Sequence, residues 1–244
     1  PTTLRCGVTP VIGGMSIAIW GWRSFFVVVG VGSLLWLIPW MRLRREHTQA
    51  TAAPKSTIPV TGVLKQRQAW LTFIGLFGFN YAFYFLMNWL PLYLVSERKL
   101  TLKEMSFVAA LPYAATAVAS LACGFFADRL IARGFEPTRV RKTFAVTGLG
   151  LCGVALCAVP AVPMELAFVL LIVAFASGGV FSSNGWAITQ RLAGAQASGT
   201  WTGFQNAFAN LGGIAAPLIT GYLVGSSGNY FSAFAVSSGA LILG

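Results

Sequence analysis

Charge is scarce in this sequence. Asp, Glu, Lys and Arg make up 9% of its 244 residues, against 56% hydrophobic ones, and the mean hydropathy is +0.72. A water-soluble domain of this length could not cover so much apolar surface with so few polar side chains, which excludes a soluble globular protein. Acidic residues are scarcer still, six against 17 basic ones, for a net charge of +11. That excess does not point to nucleic acid, because the positive residues fall in short clusters between apolar runs and form no basic, aromatic-interleaved stretch. The single histidine, His47, sits in a polar segment and reads as a solvated side chain. Cys6, Cys123, Cys152 and Cys157 all lie in apolar stretches, without the paired spacing of a zinc site or the loop placement of a disulfide framework, and read as small buried hydrophobes. No metal site and no cofactor is implied. A nucleophile with its base, a metal cluster and a phosphate-binding loop are all wanting, which argues against a membrane enzyme. A signal peptide is wanting too; the chain opens on Pro1, ends in the apolar run from Ser237 to Gly244, and reads as a fragment.

What is there is a series of long apolar runs. A spanning helix needs about 20 mostly apolar residues, and seven or eight segments qualify or nearly so: roughly 7–20, 24–41, 68–95, 105–127, 143–163, 166–190, 199–224 and 230–244. No strand pattern competes with them. Short connectors join them except for residues 42–67, a polar stretch with Arg44, Arg45, Glu46, a Thr/Ala/Pro run and Lys65, which reads as a flexible linker between two helical bundles. The expected organisation is therefore 1–41 as the end of an N-terminal bundle, 42–67 as a cytoplasmic linker and 68–244 as a C-terminal bundle.

Lys and Arg collect on the cytoplasmic side of membrane proteins. The linker, the loop near 128–142 (Arg129, Arg133, Arg139, Arg141, Lys142) and Arg191 fall on one side, which is assigned to the cytoplasm; the other side carries Arg23, the mixed segment Glu97, Arg98, Lys99, Lys103, Glu104, and Glu165. A faint repeat supports two related halves: Pro10, Gly14 and Gly21 recur at the same interval as Pro217, Gly221 and Gly228. Parallel repeats of six helices are a transporter architecture, and on that count about four helices, roughly 130 or more residues, precede Pro1.

The segment Gly124-Phe-Phe-Ala-Asp128-Arg129-Leu-Ile-Ala-Arg133-Gly134 resembles the cytoplasmic loop motif of the major facilitator superfamily, in its copy between helices 8 and 9. Other stretches resemble that superfamily's anion:cation symporter branch: Gly21-Trp22-Arg23 entering helix 6, Asn88-Trp89-Leu90-Pro91-Leu-Tyr93 ending helix 7, and Ser198-Gly199-Thr-Trp-Thr-Gly203-Phe-Gln-Asn206 through Asn210-Leu-Gly212-Gly213-Ile-Ala-Ala-Pro217 in helix 11. The resemblance implies an all-α membrane protein of major facilitator type, here the C-terminal six-helix half plus parts of helices 5 and 6, with helix 12 incomplete. It further implies secondary active transport of a small organic anion, a sugar acid or an aromatic carboxylate, by alternating access with protons as coupling ion. The expected setting is a bacterial inner membrane and the expected state a monomer, with no nucleic-acid partner. A non-transporting sensor on the same fold is the alternative.

Within the apolar cores there is no Asp, Glu, Lys, Arg or His, the usual intramembrane carriers of protons and counter-charges. For a proton-coupled anion transporter, those groups are expected in helices before Pro1. This chain offers uncharged polar residues at helical spacing instead: Asn80, Tyr84 and Asn88 on one helix face, Gly179, Ser183, Trp186 and Gln190 on a second, and Asn206, Asn210, Gly213 and Pro217 on a third. An unpaired amide facing lipid would cost several kcal/mol, so these side chains face other helices or a water-filled cavity. The resemblance places a helix 10 aromatic and serine and a helix 11 asparagine at the substrate, here Trp186, Ser183 and Asn206, with Tyr84, Asn80, Asn88 and Asn210 as further candidates. Gly124, Asp128, Arg129 and Arg133 form a candidate conformational latch, in which Asp128 is expected to pair with Arg129, Arg133 or Arg139. Tyr113, Thr116, Ser120 and Gly124 read as a close-packing stripe. The pairs Gly178-Gly179 and Gly212-Gly213 serve either bending or tight packing.

Overall fold

The computed structural model describes residues 21, 23, 26–46 and 60–244, and all regular structure among them is helical. The chain divides into two compact units, Pro1–Ser56 and Thr57–Gly244. The expected span at 7–20, with Pro10 and Gly14 of the repeat, lies outside the described residues. In the first unit the apolar helix Phe26–Arg42 tightens at Leu35 and Trp36, whose amides donate to Gly32 and Ser33 three residues back, and leads into α1 (Leu37–Glu46).

The second unit opens with a short helix, α2 (Val60–Leu64), followed by α3 (Arg67–Ser96), α4 (Leu102–Ala132) and α5 (Pro137–Ala158). A 3₁₀ turn, Val159–Ala161, leads to α6 (Met164–Gly194) and α7 (Gln196–Ser227), and the chain closes with α8 (Phe231–Leu243). Five of these helices are long and apolar enough to cross a membrane. The helix ends follow local chemistry. Thr101 and Glu104 form a reciprocal capping box at the start of α4, satisfying amides that the first helical turn leaves unbonded. Glu136 accepts from the amides of Thr138 and Arg139 ahead of α5, with Pro137 at the first helical position.

Two sequence expectations change. The polar linker 42–67 is narrower than its composition suggests: residues 42–46 continue α1, and α2 is anchored because Val63 is buried with Phe73, Ala193, Ala197 and Trp201. Residues 47–59 of that expected linker lie outside the described residues. The supposed loop 128–142 shrinks to residues 133–136, because α4 runs on to Ala132 and α5 starts at Pro137. Helix caps, rather than charge content, set those boundaries.

Glycine is what lets the helices pack. An added Cβ on Gly78 of α3 would collide with the Ala240 carbonyl of α8, and one on Gly179 of α6 with the Thr116 carbonyl of α4. On α5, a Cβ at Gly148 would lie 2.8 Å from the Ser177 carbonyl oxygen and 3.0 Å from the Phe181 nitrogen of α6. Gly212 meets the backbone of Phe77 and Tyr81, and Gly213 meets the Tyr84 ring. The glycine pairs therefore serve contact rather than bending, as small residues do where membrane helices approach closely. The bend falls at Gly194, whose φ of 64° and ψ of 176° is a conformation only glycine adopts without strain. Between α3 and α8 the core is aromatic, with Phe85 and Phe234 edge to face at 5.0 Å.

Gly148 and Gly150 test this packing on one helix, since a Cβ at Gly150 meets nothing within 4 Å. Gly148→Ala should lower the melting temperature of the purified protein in detergent, whereas Gly150→Ala should leave it unchanged or raise it through helix propensity, worth up to about 1 kcal/mol. Equal melting of the two variants would contradict the contact.

Candidate functional site

Three of the candidate polar residues are joined by hydrogen bonds across two helices. The Tyr84 hydroxyl of α3 donates to Asn210 Oδ1 of α7 at 3.0 Å. Asn210 Nδ2 donates in turn to the backbone oxygen of Asn206 at 2.7 Å and to its Oδ1 at 3.2 Å. Gly213 makes room for this bond, because a Cβ there would sit 2.8 Å from the Tyr84 ring. One turn along α3, Asn88 Nδ2 donates to the Tyr84 carbonyl at 2.8 Å. Asn80, half buried one turn earlier, lies outside this chain of bonds.

Asn88, Asn206 and Asn210 are exposed, although they sit on helices of membrane-spanning length and hydropathy. Hydrocarbon would penalise exposed amides heavily. The face shared by α3 and α7 is therefore built for water, ligand or other polar groups. The Asn206 Oδ1 accepts one bond from Asn210, while both N–H groups of its amide nitrogen are left to donate. The arrangement suits a ligand rich in acceptors.

The α6 candidates stand apart from this network. Ser183 Oγ donates to the Val180 carbonyl at 3.2 Å and accepts from Asn184 Nδ2 at 3.2 Å, and no bond joins it to Tyr84, Asn206 or Asn210 among the described residues. Trp186 is half buried and packs against the main apolar core. Gly179 is buried against α4 and so does not share an open surface with Gln190, which is exposed.

Sequence reasoning missed the buried polar residues. Asn184, fully buried, donates to the Val180 carbonyl at 3.0 Å and reaches the Cys123 sulfur of α4 at 3.3 Å. Thr72 of α3 accepts from Trp201 Nε1 at 3.0 Å through its hydroxyl and from Gln205 Nε2 at 3.0 Å through its carbonyl. An amide in an apolar helix was the available signal, but spacing alone does not say which face is inside. Thr116, placed in the packing stripe of α4, donates to the Phe175 carbonyl of α6 at 2.9 Å.

At the charged end, the expected partner of Asp128 is corrected. Asp128 Oδ1 accepts from Arg141 Nη2 at 2.7 Å, bridging α4 and α5 across residues 133–136. Arg129 lies over the Phe125 ring at 5.9 Å, Arg139 is 3.9 Å from Glu136, and Arg133 caps α4. The helical geometry explains the change: α5 begins before Arg139, so Arg141 rather than Arg139 turns toward α4. Hydrogen bonds from Thr138 and from the Arg139 amide, with the charge of Arg191 beyond, hold the Glu136 carboxyl below its usual range. The space around Gly124 is open.

The sequence model of the Major Facilitator Superfamily matches residues 3–135. The chain belongs to that superfamily. It is similar to the hexuronate transporter of Bacillus subtilis (strain 168), 28% identical over 96% of this chain and 58% of the relative. It is also similar to the "probable L-galactonate transporter" of Escherichia coli (strain K12), 26% identical over 94% of this chain and 54% of the relative, and to sialin of Ovis aries, 25% identical over 96% and 52%. The chain spans a little over half the length of these curated relatives. Such relatives support the resemblance to the anion:cation symporter branch; the bacterial ones are named as transporters rather than enzymes, and with five membrane-length helices they make this an all-α, multi-pass membrane protein of major facilitator type.

The corrected ion pair can be checked by a double-mutant cycle on melting temperature. Asp128→Asn and Arg141→Gln should couple by about 1 kcal/mol, the scale of an ion pair near the surface, while Asp128→Asn and Arg139→Gln should be additive. Coupling to Arg139 instead would overturn the assignment.

Proposed function

We propose that this chain supplies the C-terminal bundle of a secondary active transporter for a small organic anion of the sugar-acid class. The observation that carries the reading is the Tyr84–Asn210–Asn206 bonded array, whose two asparagines are exposed on a membrane-length helix where lipid would reject them. Sites in this architecture lie near the bilayer midplane between the halves. Asn206 presents amide donors to a carboxylate or hydroxyl, Tyr84 and Asn88 border it on α3, and Ser183 and Trp186 of α6 form a further wall with Asn80 nearby.

The names of the relatives, hexuronate, L-galactonate and galactarate/D-glucarate transporters, favour sugar acids over aromatic carboxylates, and hydroxyl-rich anions fit an array of asparagines. Import is coupled to protons, with the proton-carrying carboxylate and the counter-charge for the anion outside the described spans of this chain. The bundle works as the C-terminal part of a two-bundle protein, residues 68–244 after a cytoplasmic linker, in a bacterial inner membrane and as a monomer. Gly124, Asp128, Arg129 and Arg133, with Arg141, act as a cytoplasmic latch that must part when the bundles rock.

Uptake by the full-length protein in proteoliposomes tests this reading, with labelled sugar acids and aromatic carboxylates, with and without an inward proton gradient. Wild type should take up one sugar acid faster with the gradient. Asn206→Ala should lose that uptake despite normal insertion and melting. Tyr84→Phe, which removes one hydrogen bond, should raise KM by about three- to tenfold. No anion uptake by correctly inserted wild-type protein would sink the transport reading and leave a non-transporting sensor in its place.

A further inference from the structure

The end of the second unit opposite the 133–136 connector holds a cavity of about 220 Å³, lined by Tyr93, Glu97, Arg98, Pro160, Asn229 and Phe231 with Tyr230 beside them. Three elements meet there: the C-terminal end of α3, the 3₁₀ turn after α5 and the start of α8. Arg98 and Tyr93 between them touch all three. Its Nε donates to the Tyr93 hydroxyl at 2.7 Å and its Nη2 to the Val159 carbonyl at 2.8 Å, while the Tyr93 ring packs on Tyr230 at 5.4 Å.

These bonds do not exhaust the guanidinium. It has five N–H donors in a fixed fork, of which two are used, and both Arg98 and Tyr93 line the cavity. The N-terminal end of α8 borders the same space, with Asn229 Oδ1 accepting from the Phe231 amide at 3.1 Å, and a helix start adds partial positive charge. Glu97, the residue before Arg98, contributes an exposed carboxylate to the same cavity. The cavity thus offers a forked cation and an anion side by side.

The surroundings say what such a pair meets. The exposed large residues of α8 are all apolar: Phe231, Val236, Ile242 and Leu243. The exposed amides of the α3–α7 face, Asn88, Asn206 and Asn210, lie on other elements. Exposed Phe231 lines the cavity and begins that apolar surface, next to the exposed carboxylate of Glu97, so the cavity lies where lipid gives way to water. A dipolar group arriving from that boundary, with phosphate toward Arg98 and ammonium toward Glu97, matches both charges at once.

We propose that this cavity is a binding site for the headgroup of an aminophospholipid, with the phosphate held by Arg98 and Tyr93 and the primary ammonium by Glu97. The lipid would fill the seam where α3, the 3₁₀ turn and α8 converge and clamp the three ends together. The site is separate from the α3–α7 polar face and stands whether or not the protein transports a sugar acid.

The test is lipid retention by the purified full-length protein, delipidated and titrated with phosphatidylethanolamine, phosphatidylcholine or phosphatidylglycerol of identical acyl chains, and read by native mass spectrometry. Phosphatidylethanolamine should bind about fivefold tighter than either other lipid, the scale of one exposed ion pair. Glu97→Gln, an exposed position whose change should leave melting intact, should bring it down to the level of phosphatidylglycerol. Arg98→Lys, which keeps charge but loses the fork, should weaken all three lipids. Equal binding of the three lipids by wild type, or an unchanged preference in Glu97→Gln, would overturn the proposal. Competition by soluble phosphoethanolamine at concentrations comparable to the lipid would overturn it as a lipid site and indicate a free phosphoamine ligand.

Discussion

A hydrogen-bonding group in hydrocarbon has no water to fall back on, and leaving it unpaired costs several kcal/mol. Most of this structure answers to that constraint. Backbone groups are satisfied within helices, and several hydroxyls return to carbonyls of their own helix, as Thr147 to Thr143, Ser96 to Leu92 and Ser238 to Phe234. Among the other polar side chains two groups stand out, beside buried oxygens such as Ser237 Oγ and Asn184 Oδ1 that have no hydrogen-bond partner among the described residues. Thr72, Asn184 and Gln205 are buried or half buried and bond between helices or to their own backbone. Asn88, Asn206 and Asn210 stay exposed, and the same constraint makes their face the one turned away from lipid.

Close packing makes the bonded array possible. Hydrophobic burial gives membrane helices little reason to associate once they are inserted, so contact area and interhelical bonds must do so. Gly78, Gly148, Gly179 and Gly212 bring backbones together at four different helix pairings, and Gly213 sets the Tyr84 ring where its hydroxyl reaches Asn210. Site and scaffold are therefore coupled at single residues. Altering the glycine seam between α3 and α7 would move the polar face with it.

Charge is confined to the ends, and each end uses it differently. At the connector between α4 and α5, Asp128, Arg141, Glu136 and Arg139 form local pairs and caps. At the opposite end, Arg98 joins α3 to the 3₁₀ turn with two bonds. In the first arrangement Asp128, Glu136 and Arg139 are solvated while Arg141 is mostly covered. The second is suited to permanence, because its acceptors are a half-buried junction of helix termini.

By itself the sequence determined the class of molecule: apolar runs of spanning length, scarce charge and the clustering of Arg and Lys allow only a helical membrane protein, and of the seven or eight segments that hydropathy marked, five coincide with membrane-length helices among the described residues. The candidate residues Tyr84, Asn206 and Asn210 were legible too, since polar side chains at helical spacing in an apolar run need partners. Tertiary structure decided who those partners are. Whether Asn184 or Ser183 is the buried neighbour, whether Asp128 meets Arg139 or Arg141, and whether Gly212-Gly213 bends or packs all depend on how helices are rotated against one another. Rotation is set by side-chain contacts between segments far apart in the chain, such as Gly213 on Tyr84 or Gly148 on Ser177. Periodicity within one segment carries no information about them.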